Sequence, residues 1–530
     1  MSATKISLLP PLDPKPIEVE ETKSLLDQIL QDALAQFELF HDQNKECYAK
    51  SLSTGLVWRL NSRAFRDEIS TTFYEQHAKA LRAQTLADTI AQLSALARCK
   101  NIMREVHQRV AKHDGKYYLD LCEANTTRAI CWHAGGWAIV SHPPVEFVRS
   151  DAMQPLPIPT SDASLDALWK LCNIPLSKQI FVIAWIIDAW RPDTVYPGLE
   201  LIGEQGSGKS TTAEIIRMLV DPNACNLRSA PKSKEDVFVT AGVNHVVAYE
   251  NLSHLSGEMQ DNLCVLSTGG GHAKRKLYSD ADEHVINVKR PWILNGISAC
   301  VTQQDLVDRV ISIECPVIKS RIAEREQKLL LTQQLPKILA ALLDIACKAE
   351  AHIAKVLIPA EKRPRLLEFC QLGMAITKHM HKDEQKFLTL FSQDRQELIS
   401  RAIETSPVCA ALIELMVHET MIEAPLSIIL SRLKRPEYCD SWPRSPKGLG
   451  DLLRRNAPAL RQCGIQCKSL GKIGSHVHWR ISKMREDASL ASRDVVKDQN
   501  NAKHDKTTCT TLSGTSCLQD DATQTWEQTL

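Results

Sequence analysis

The spacing of apolar residues divides the chain into helical and strand-rich regions. Apolar positions recur at helical spacing in LLDQILQDALAQFELF at 25–40, so we predict a helical region at 21–103 behind a flexible N-terminus at 1–20. From 104 to 150, short apolar stretches alternate with Asp-Gly and Gly-Gly pairs, a pattern that predicts a small β subdomain built from hairpins. A proline-spaced stretch, MQPLPIPTSD at 153–162, is the predicted linker to the next region.

The middle of the chain alternates apolar strands with helices. We predict an α/β core at 165–320, in which the apolar stretch GLELI at 198–202 is a strand that leads into a glycine-rich segment. Helical spacing returns beyond the core. It predicts a helical region at 321–432, whose clearest helix is interrupted or kinked at Pro336.

The C-terminal part differs in both pattern and charge. Residues 441–484 predict a pair of helices followed by a two-stranded wing, which together form a winged-helix-like module. This segment holds nine Lys or Arg residues and one acidic residue, whereas the whole chain is balanced at 64 basic and 63 acidic residues. The basic surface is therefore local, and the module contacts either nucleic acid or protein. The tail at 485–530 lacks apolar periodicity, which predicts disorder.

No segment has the pattern of a secretion signal or a membrane span. The N-terminus has neither a basic nor an apolar stretch, and the longest apolar run, FVIAWIIDAW at 181–190, is broken by Asp188. Seventeen cysteines are scattered singly, apart from Cys463 and Cys467, which lack a second pair or a His partner at metal-site spacing. We therefore expect reduced thiols in a cytoplasmic protein without a membrane partner.

The segment GEQGSGKST at 203–211 carries the clearest chemistry. It follows a predicted strand, opens a predicted helix and fits the GxxxxGK[ST] pattern in full, in which a glycine-rich turn offers backbone N–H groups to phosphates. Lys209 is expected to reach the β and γ phosphates, and the Ser210 hydroxyl to bind Mg²⁺, so the predicted cofactors are ATP and Mg²⁺. The expected nucleotide-binding residues are Gly203, Glu204, Gln205, Gly206, Ser207, Gly208, Lys209, Ser210 and Thr211.

Two further apolar strands carry polar residues that suit nucleotide hydrolysis. HVVAYEN at 245–251 contains Glu250, the expected carboxylate on the metal side. RPWILNGIS at 290–298 contains Asn295, which could orient the attacking water. Each residue also has a structural alternative. Glu250 could simply end a buried strand, and Asn295 could be an ordinary turn residue.

Arg309, in DLVDRVISIE at 305–314, has two interpretations. It could stabilise charge on the phosphoryl group transferred in a neighbouring subunit's site. It could equally form an ion pair within its own chain, with Asp305 or Asp308. The sequence favours neither interpretation.

The order of these motifs resembles that of superfamily 3 helicases and of the related ATPases of phage and mobile-element primase-helicases. More closely, the phrases GEQGSGKST, AYENLS, LCVLSTGGGHAKRKLYSD, RPWILNGI and DLVDR are similar to a family of bacterial ATP-binding proteins often found with phages and integrative elements. The resemblance covers about 104–480 and is most specific at 198–315. It implies an AAA+-like α/β P-loop core that works as an oligomer, a hexameric ring, moving on DNA.

The resemblance also implies a hairpin that enters the channel of the ring. Here the corresponding interval is GGGHAKRKLYSD at 269–280, and its alternative is a solvated basic turn. The expected DNA contacts in this interval are Lys274, Arg275 and Lys276. The expected phosphate contacts in the C-terminal module are Arg454, Arg455, Lys468 and Lys472.

One position departs from the family's pattern. The Walker B strand of the superfamily usually ends in two acids, whereas Glu250 is followed here by Asn251, an amide that can position water but cannot accept its proton. The expected catalytic residues are Glu250, Asn251, Asn295 and Arg309. The predicted function is an ATP-driven, helicase-like motor on single-stranded or forked DNA. The alternative is an ATP-dependent oligomeric switch that docks DNA or protein and hydrolyses little.

Overall fold

The computed structural model describes five segments of the chain: residues 24–275, 283–318, 322–404, 406–437 and 442–484. The predicted flexible N-terminus at 1–20 and the predicted disordered tail at 485–530 lie outside the described residues.

The N-terminal region combines helices with a small sheet. Its elements are α1 (Leu25–Gln36), β1 (Phe37–His41), β2 (Cys47–Ser51), β3 (Val57–Arg59), α2 (Arg63–His77) and α3 (Ala83–Lys100). The strands pair antiparallel in the order β1-β2-β3, and all three helices contribute to their hydrophobic core. The prediction of a helical region was wrong for these strands. Its physical reason is that the buried Phe37, Leu39 and Phe40 fit helical spacing and a strand alike.

The predicted β subdomain is present. Its strands are β4 (Val106–His107), β5 (Val110–His113), β6 (Lys116–Asp120), β7 (Ala129–His133), β8 (Gly136–Val140) and β9 (Glu146–Phe147). β5, β6, β7 and β8 form one antiparallel sheet in chain order, so both predicted hairpins are confirmed. Asp114 and Gly115 turn β5 into β6 with φ angles of 48° and 71°, the left-handed pair that a tight hairpin requires.

The core of the chain is a four-stranded parallel sheet with flanking helices. Its elements are α4 (Leu168–Leu171), α5 (Gln179–Ala189), β10 (Gly198–Ile202), α6 (Lys209–Met218), α7 (Lys234–Val243), β11 (Val247–Leu252), α8 (Gly257–Thr268), β12 (Gly270–Arg275), β13 (Glu283–Val288), β14 (Trp292–Gly296), α9 (Gln304–Val307) and β15 (Val310–Glu314). The sheet order is β11-β14-β10-β15, and all its pairings are parallel. β12 and β13 form a separate antiparallel hairpin.

Hydrophobic cores cover both faces of this sheet. On one face, Leu199, Leu201 and Ile293 pack with α5 and α6 in the largest core of the protein. On the other face, Trp292 and Leu294 pack with α7 and α8 in a second core, which continues into the C-terminal module. Both faces of the sheet are therefore covered by other elements, so a ligand can reach the sheet only at its edges.

The helical region follows the sheet. Its helices are α10 (Glu324–Ile353), α11 (Leu367–His381), α12 (Gln385–Glu404) and α13 (Pro407–Val417). α10 runs through Pro336 without the predicted interruption. By length and composition alone α10 could cross a membrane, but buried helices of a protein core meet the same criteria. Its Ile338, Leu342 and Ala346 are fully buried in the largest core.

The C-terminal module is larger than its predicted boundaries. Its further elements are β16 (Met421–Pro425), α14 (Leu426–Arg432), α15 (Pro446–Gln462), β17 (Ile465–Ile473) and β18 (His476–Lys483). The three strands pair antiparallel in the order β16-β18-β17, so a strand from the predicted helical region belongs to this sheet. The predicted helix pair is one helix, α15. It passes through Pro458, and the buried Ala459 and Leu460 hold its last turn in the core.

Candidate nucleotide-binding site

The glycine-rich loop joins the carboxyl end of β10 to the first turn of α6. Gly203, Gly206 and Gly208 have φ angles of 144°, 80° and 74°, which glycine adopts at little cost. A Cβ atom at Gly203 would lie 2.6 Å from the Cys315 carbonyl oxygen, so this position has no room for a larger residue. The loop thus has a positive φ at each glycine of the predicted pattern.

Lys209 opens α6 and turns its side chain back to the loop. Its Nζ donates to the carbonyl oxygens of Gly203 and Glu204 at 2.9 and 2.7 Å, and to the Ser207 hydroxyl at 3.3 Å. A phosphate ligand would compete with these three acceptors for the ammonium group. The remaining predicted loop residues differ in exposure: Glu204 and Gln205 are exposed, whereas Ser210 and Thr211 are half-buried in the first turn of α6.

Asn173, between α4 and α5, contacts this loop although no sequence motif includes it. Its Nδ2 donates to the Ser207 carbonyl oxygen at 2.8 Å and to the Pro316 carbonyl oxygen at 2.5 Å. Its backbone N–H donates to the Thr212 hydroxyl in α6 at 3.1 Å. One residue therefore connects the loop, the helix after it and the segment that follows β15.

The sheet order brings two predicted residues toward the loop. The strands are parallel, so the carboxyl ends of β10, β14 and β11 lie at one edge, where α/β sheets bind ligands. Asn295 is in register with Leu201 of β10, and Glu250 lies in β11, on the other side of β14. Asn295 is only 1% exposed, and Glu250 is half-buried. The structure therefore gathers the loop, Asn295 and Glu250 at the same edge.

Asn251 and Asn295 are joined by a hydrogen bond. The Asn251 backbone N–H donates to Asn295 Oδ1 at 3.0 Å, at a point where the β11 register against β14 shifts. Asn251 has a φ of 55°, a left-handed conformation that Asn tolerates better than most residues, and its side chain is exposed. The Asn295 Nδ2 is buried without a hydrogen-bond partner among the described residues. It is a free donor of the kind that a ligand or water satisfies.

Glu214 is an acidic residue near the site that sequence reasoning missed. It lies in α6, which packs against β11. Burial raises the pKa of Glu214, and the negative charge of Glu250 raises it further, so the two carboxylates interact. The sequence gives no signal for this pair, because it arises from the packing of a helix on a strand.

Glu200 is a second missed acid, and it ties the sheet to the loop after β14. It is 2% exposed in β10, and burial raises its pKa. Its carboxylate accepts the N–H groups of Cys300 and Val301 at 2.8 and 3.1 Å and the Ser312 hydroxyl at 2.7 Å. These donors compensate the buried charge and fix the segment after Asn295. The available signal was a charged residue at the centre of the apolar strand GLELI.

The structure places Arg309 at the opposite edge of the sheet. It precedes β15, and its carbonyl oxygen accepts the Gly198 N–H at the start of β10, one strand length or about 15 Å from the loop. Arg309 is 8% exposed, and its guanidinium lies 2.7 Å from the Asp305 carboxylate, which Arg365 also contacts. A buried, paired guanidinium is not presented to a neighbouring subunit. The intrachain ion pair is therefore the interpretation that this geometry favours over the catalytic one.

The predicted hairpin exists, and its basic residues are described only in part. Lys274 and Arg275 end β12, in register with His284 and Glu283 of β13. Lys276 lies outside the described residues. Their contact with DNA stays a prediction.

The basic candidates of the C-terminal module lie on different faces. Lys468 is in register with Arg480 on the neighbouring strand. Trp479, which precedes Arg480, is buried on the side of the sheet that faces the helices, and its ring centre lies 5.6 Å from the Arg454 guanidinium. Neighbouring residues of a strand point to opposite faces, so Lys468 and Arg454 lie on opposite sides of the sheet. The other two candidates, Arg455 and Lys472, are exposed.

These features define an α/β protein with a candidate phosphate-binding loop at the carboxyl edge of a parallel sheet. Residues 165–379 match the family model of the actinomycete integrative conjugative element replication protein. Residues 408–498 match the model of the C-terminal domain of the same replication protein, RepA. Together the two matches cover more than half of the chain, which is similar over these segments to the replication proteins of such mobile elements.

Some solved structures match the chain at low identity and low TM-score. The A form apo structure of the NrS-1 C-terminal region has 12% identity and a TM-score of 0.37, covering 87% of this chain and 99% of that chain. A second apo structure of that region has 10% identity and a TM-score of 0.35, with the same coverage. A crystal structure of JCV Helicase with a bound acetamide compound has 13% identity and a TM-score of 0.22, covering 40% of this chain and 63% of that chain. No curated protein matches the sequence.

Proposed function

We propose that this chain is an ATP-binding P-loop NTPase that acts as a helicase-like motor on DNA during replication of an integrative mobile element. The observation that carries the proposal is the shared edge of the parallel sheet, which holds the glycine-rich loop with Lys209, the carboxyl group of Glu250 and the free Asn295 amide donor. The replication context is supported by the family model matched at 165–379, which is that of a replication protein.

Each residue of this edge has a chemical task in the proposal. The loop N–H groups and the N-terminus of α6 bind the phosphates, and Lys209 exchanges its loop carbonyls for phosphate oxygens. Ser210 and Glu250 would hold Mg²⁺, which would neutralise phosphate charge. Among the residues that the structure describes, no three His, Cys, Asp or Glu side chains form a metal site. This suits an ion held largely through nucleotide and water.

Hydrolysis requires a positioned water and a proton acceptor. Asn295 supplies a donor that can orient the water. Because Asn251 cannot take a proton, Glu250 has to do both jobs, holding the metal ion and accepting the proton; otherwise hydrolysis is slow. The negative charge of Glu250 adds to burial in raising the pKa of Glu214, so a second carboxyl group belongs to the surroundings of the proposed acceptor.

The proposed partner is DNA, bound by a homo-oligomeric ring. β12 ends in Lys274 and Arg275, and Lys276 follows them in the sequence. These three basic residues suit a sequence-independent grip on phosphates. The winged-helix-like arrangement of α13, α14 and α15 with a three-stranded sheet adds the exposed Arg455 and Lys472.

A nucleotide-dependent switch is the second candidate, and Asn251 is the observation that favours it. The chain lacks the second acid of the Walker B strand, and the exposed, left-handed Asn251 offers only an amide at that point. Such a protein would bind ATP, oligomerise and dock DNA or protein through its C-terminal module with little turnover.

The nucleotide site is tested by Lys209→Ala, with Lys232→Ala as a matched control on an exposed lysine outside the loop. Fluorescent ATP titration and phosphate release are measured on both variants and on the wild type. Lys209→Ala should lose binding or turnover, because it removes the charge that the loop aims at phosphates. A folded Lys209→Ala protein that binds and hydrolyses ATP like the control would refute the site.

A further inference from the structure

We propose that Asn173 is a positioning residue that sets the phosphate-binding shape of the loop, an inference that rests on the nucleotide site proposed above. The carbonyl and N–H of one trans peptide point in opposite directions. Because Asn173 Nδ2 holds the Ser207 carbonyl oxygen at 2.8 Å, the Gly208 N–H of the same peptide is turned away from Asn173. It is thereby left free to donate to a phosphate.

Asn173 has a side chain suited to this task. Its single Nδ2 atom carries two hydrogens, and the two carbonyl acceptors, on Ser207 and Pro316, use both. The segment at Pro316 borders the loop at its other end as well, since the Cys315 N–H donates to Ile202 at 2.7 Å. An isosteric carboxylate would face the same two carbonyls with acceptors only.

The helix that follows the loop is fixed by the same residue. The Asn173 backbone N–H donates to the Thr212 hydroxyl at 3.1 Å, and Thr212 is fully buried. A Cβ atom on Gly208 would lie 3.8 Å from the Asn173 Cβ, so the residue lies directly against the turn into α6. The loop and the start of its helix are therefore oriented from one point outside the motif.

The test is Asn173→Asp, with Asn44→Asp as the matched control at an exposed position of the N-terminal region. ATP affinity is titrated at pH 7.5 and at pH 5, and thermal unfolding is recorded without nucleotide. At pH 7.5 we expect Asn173→Asp to bind ATP roughly tenfold more weakly than the wild type, since two donated hydrogen bonds are replaced by repulsion. The control should match the wild type.

The pH dependence separates positioning from a general structural role. The carbonyl oxygens of Ser207 and Pro316 disfavour the charged form of the introduced carboxyl, so part of it is protonated at pH 5 and donates one of the two hydrogen bonds again. The ratio of wild-type to variant affinity should therefore be smaller at pH 5 than at pH 7.5. A ratio that stays near one at pH 7.5, or an equal loss at both pH values, would overturn the inference while leaving the nucleotide site intact. A loss explained by unfolding of the nucleotide-free variant would overturn it too. A wild-type chain that binds no ATP would remove both proposals.

Discussion

Arg309→Ala tests whether this arginine stabilises its own chain or acts on a neighbouring site. The Arg309 side chain is 10% exposed, whereas Asp305 is 52% exposed and keeps Arg365 at 2.7 Å after the change. Breaking a fully buried pair costs about 3–5 kcal/mol, and an exposed pair contributes roughly 0.2–1 kcal/mol. With one buried and one half-exposed partner, we expect a loss of about 2 kcal/mol in the free energy of unfolding.

The assay combines urea unfolding with ATPase measurements at a temperature where the variant is folded. Arg365→Ala is the matched control, because it removes the exposed partner of the same carboxylate and should cost less than Arg309→Ala. Folded Arg309→Ala should retain most of the wild-type turnover.

The opposite outcome has a distinct signature. A stable Arg309→Ala protein with turnover reduced about 10³-fold or more would indicate an arginine that acts on the phosphoryl group. Mixing it with Lys209→Ala subunits under proven exchange would then restore activity above both parents, since about a quarter of interfaces would be complete. Such recovery would refute the structural interpretation of Arg309.

Three further predictions follow from the site and its surroundings. Glu250→Gln should still bind nucleotide but lose ATP hydrolysis, whereas Asn251→Asp should hydrolyse ATP at the wild-type rate or faster. Normal turnover by Glu250→Gln would exclude Glu250 as the proton acceptor. Replacing the three basic residues at 274–276 by Ala should weaken the stimulation of the ATPase by DNA and flatten its salt dependence, with basal hydrolysis unchanged. Unaltered stimulation would indicate that these residues are a solvated turn without a contact to DNA. Burial lowers the pKa of His245 to about 4, below the unfolded value of 6.5. As the pH falls, the unfolded chain therefore takes up a proton at this residue before the folded chain does. The free energy of unfolding is thus highest above pH 6.5 and falls as the pH falls toward 4. Unfolding curves of His245→Asn should lack that slope relative to the wild type.

Local patterns were sufficient to predict the loop and the strands around it. The glycines of GEQGSGKST predict a turn, and each of them has a positive φ in the structure. The apolar run of GLELI predicts a strand, which the structure contains. The segment FELFH was assigned to a helix because its apolar residues fit both periods, and only its pairing with β2 distinguishes them. The sequence predicts a pair of helices where the structure has one helix through Pro458, because tertiary packing outweighs the local cost of proline.

Residues brought together by the tertiary fold could not be predicted. Asn173 reaches Ser207 across 34 positions, and Glu200 reaches Cys300 across 100, so neither pairing leaves a trace in a local window. Arg309 was ambiguous because the i,i+4 spacing to Asp305 permits an ion pair without requiring it. Burial favours the ion pair, and burial is a property of the folded chain.

In the proposed function, ATP hydrolysis at this edge of the sheet is coupled to DNA binding. The most direct measurement is steady-state phosphate release by the purified chain with ATP and Mg²⁺, titrated with single-stranded DNA at low and at moderate salt. We predict a basal rate that DNA raises severalfold and that salt suppresses, because phosphate contacts release counterions. ATP binding with a rate that DNA leaves unchanged at both salt concentrations would contradict the motor and favour the nucleotide-dependent switch.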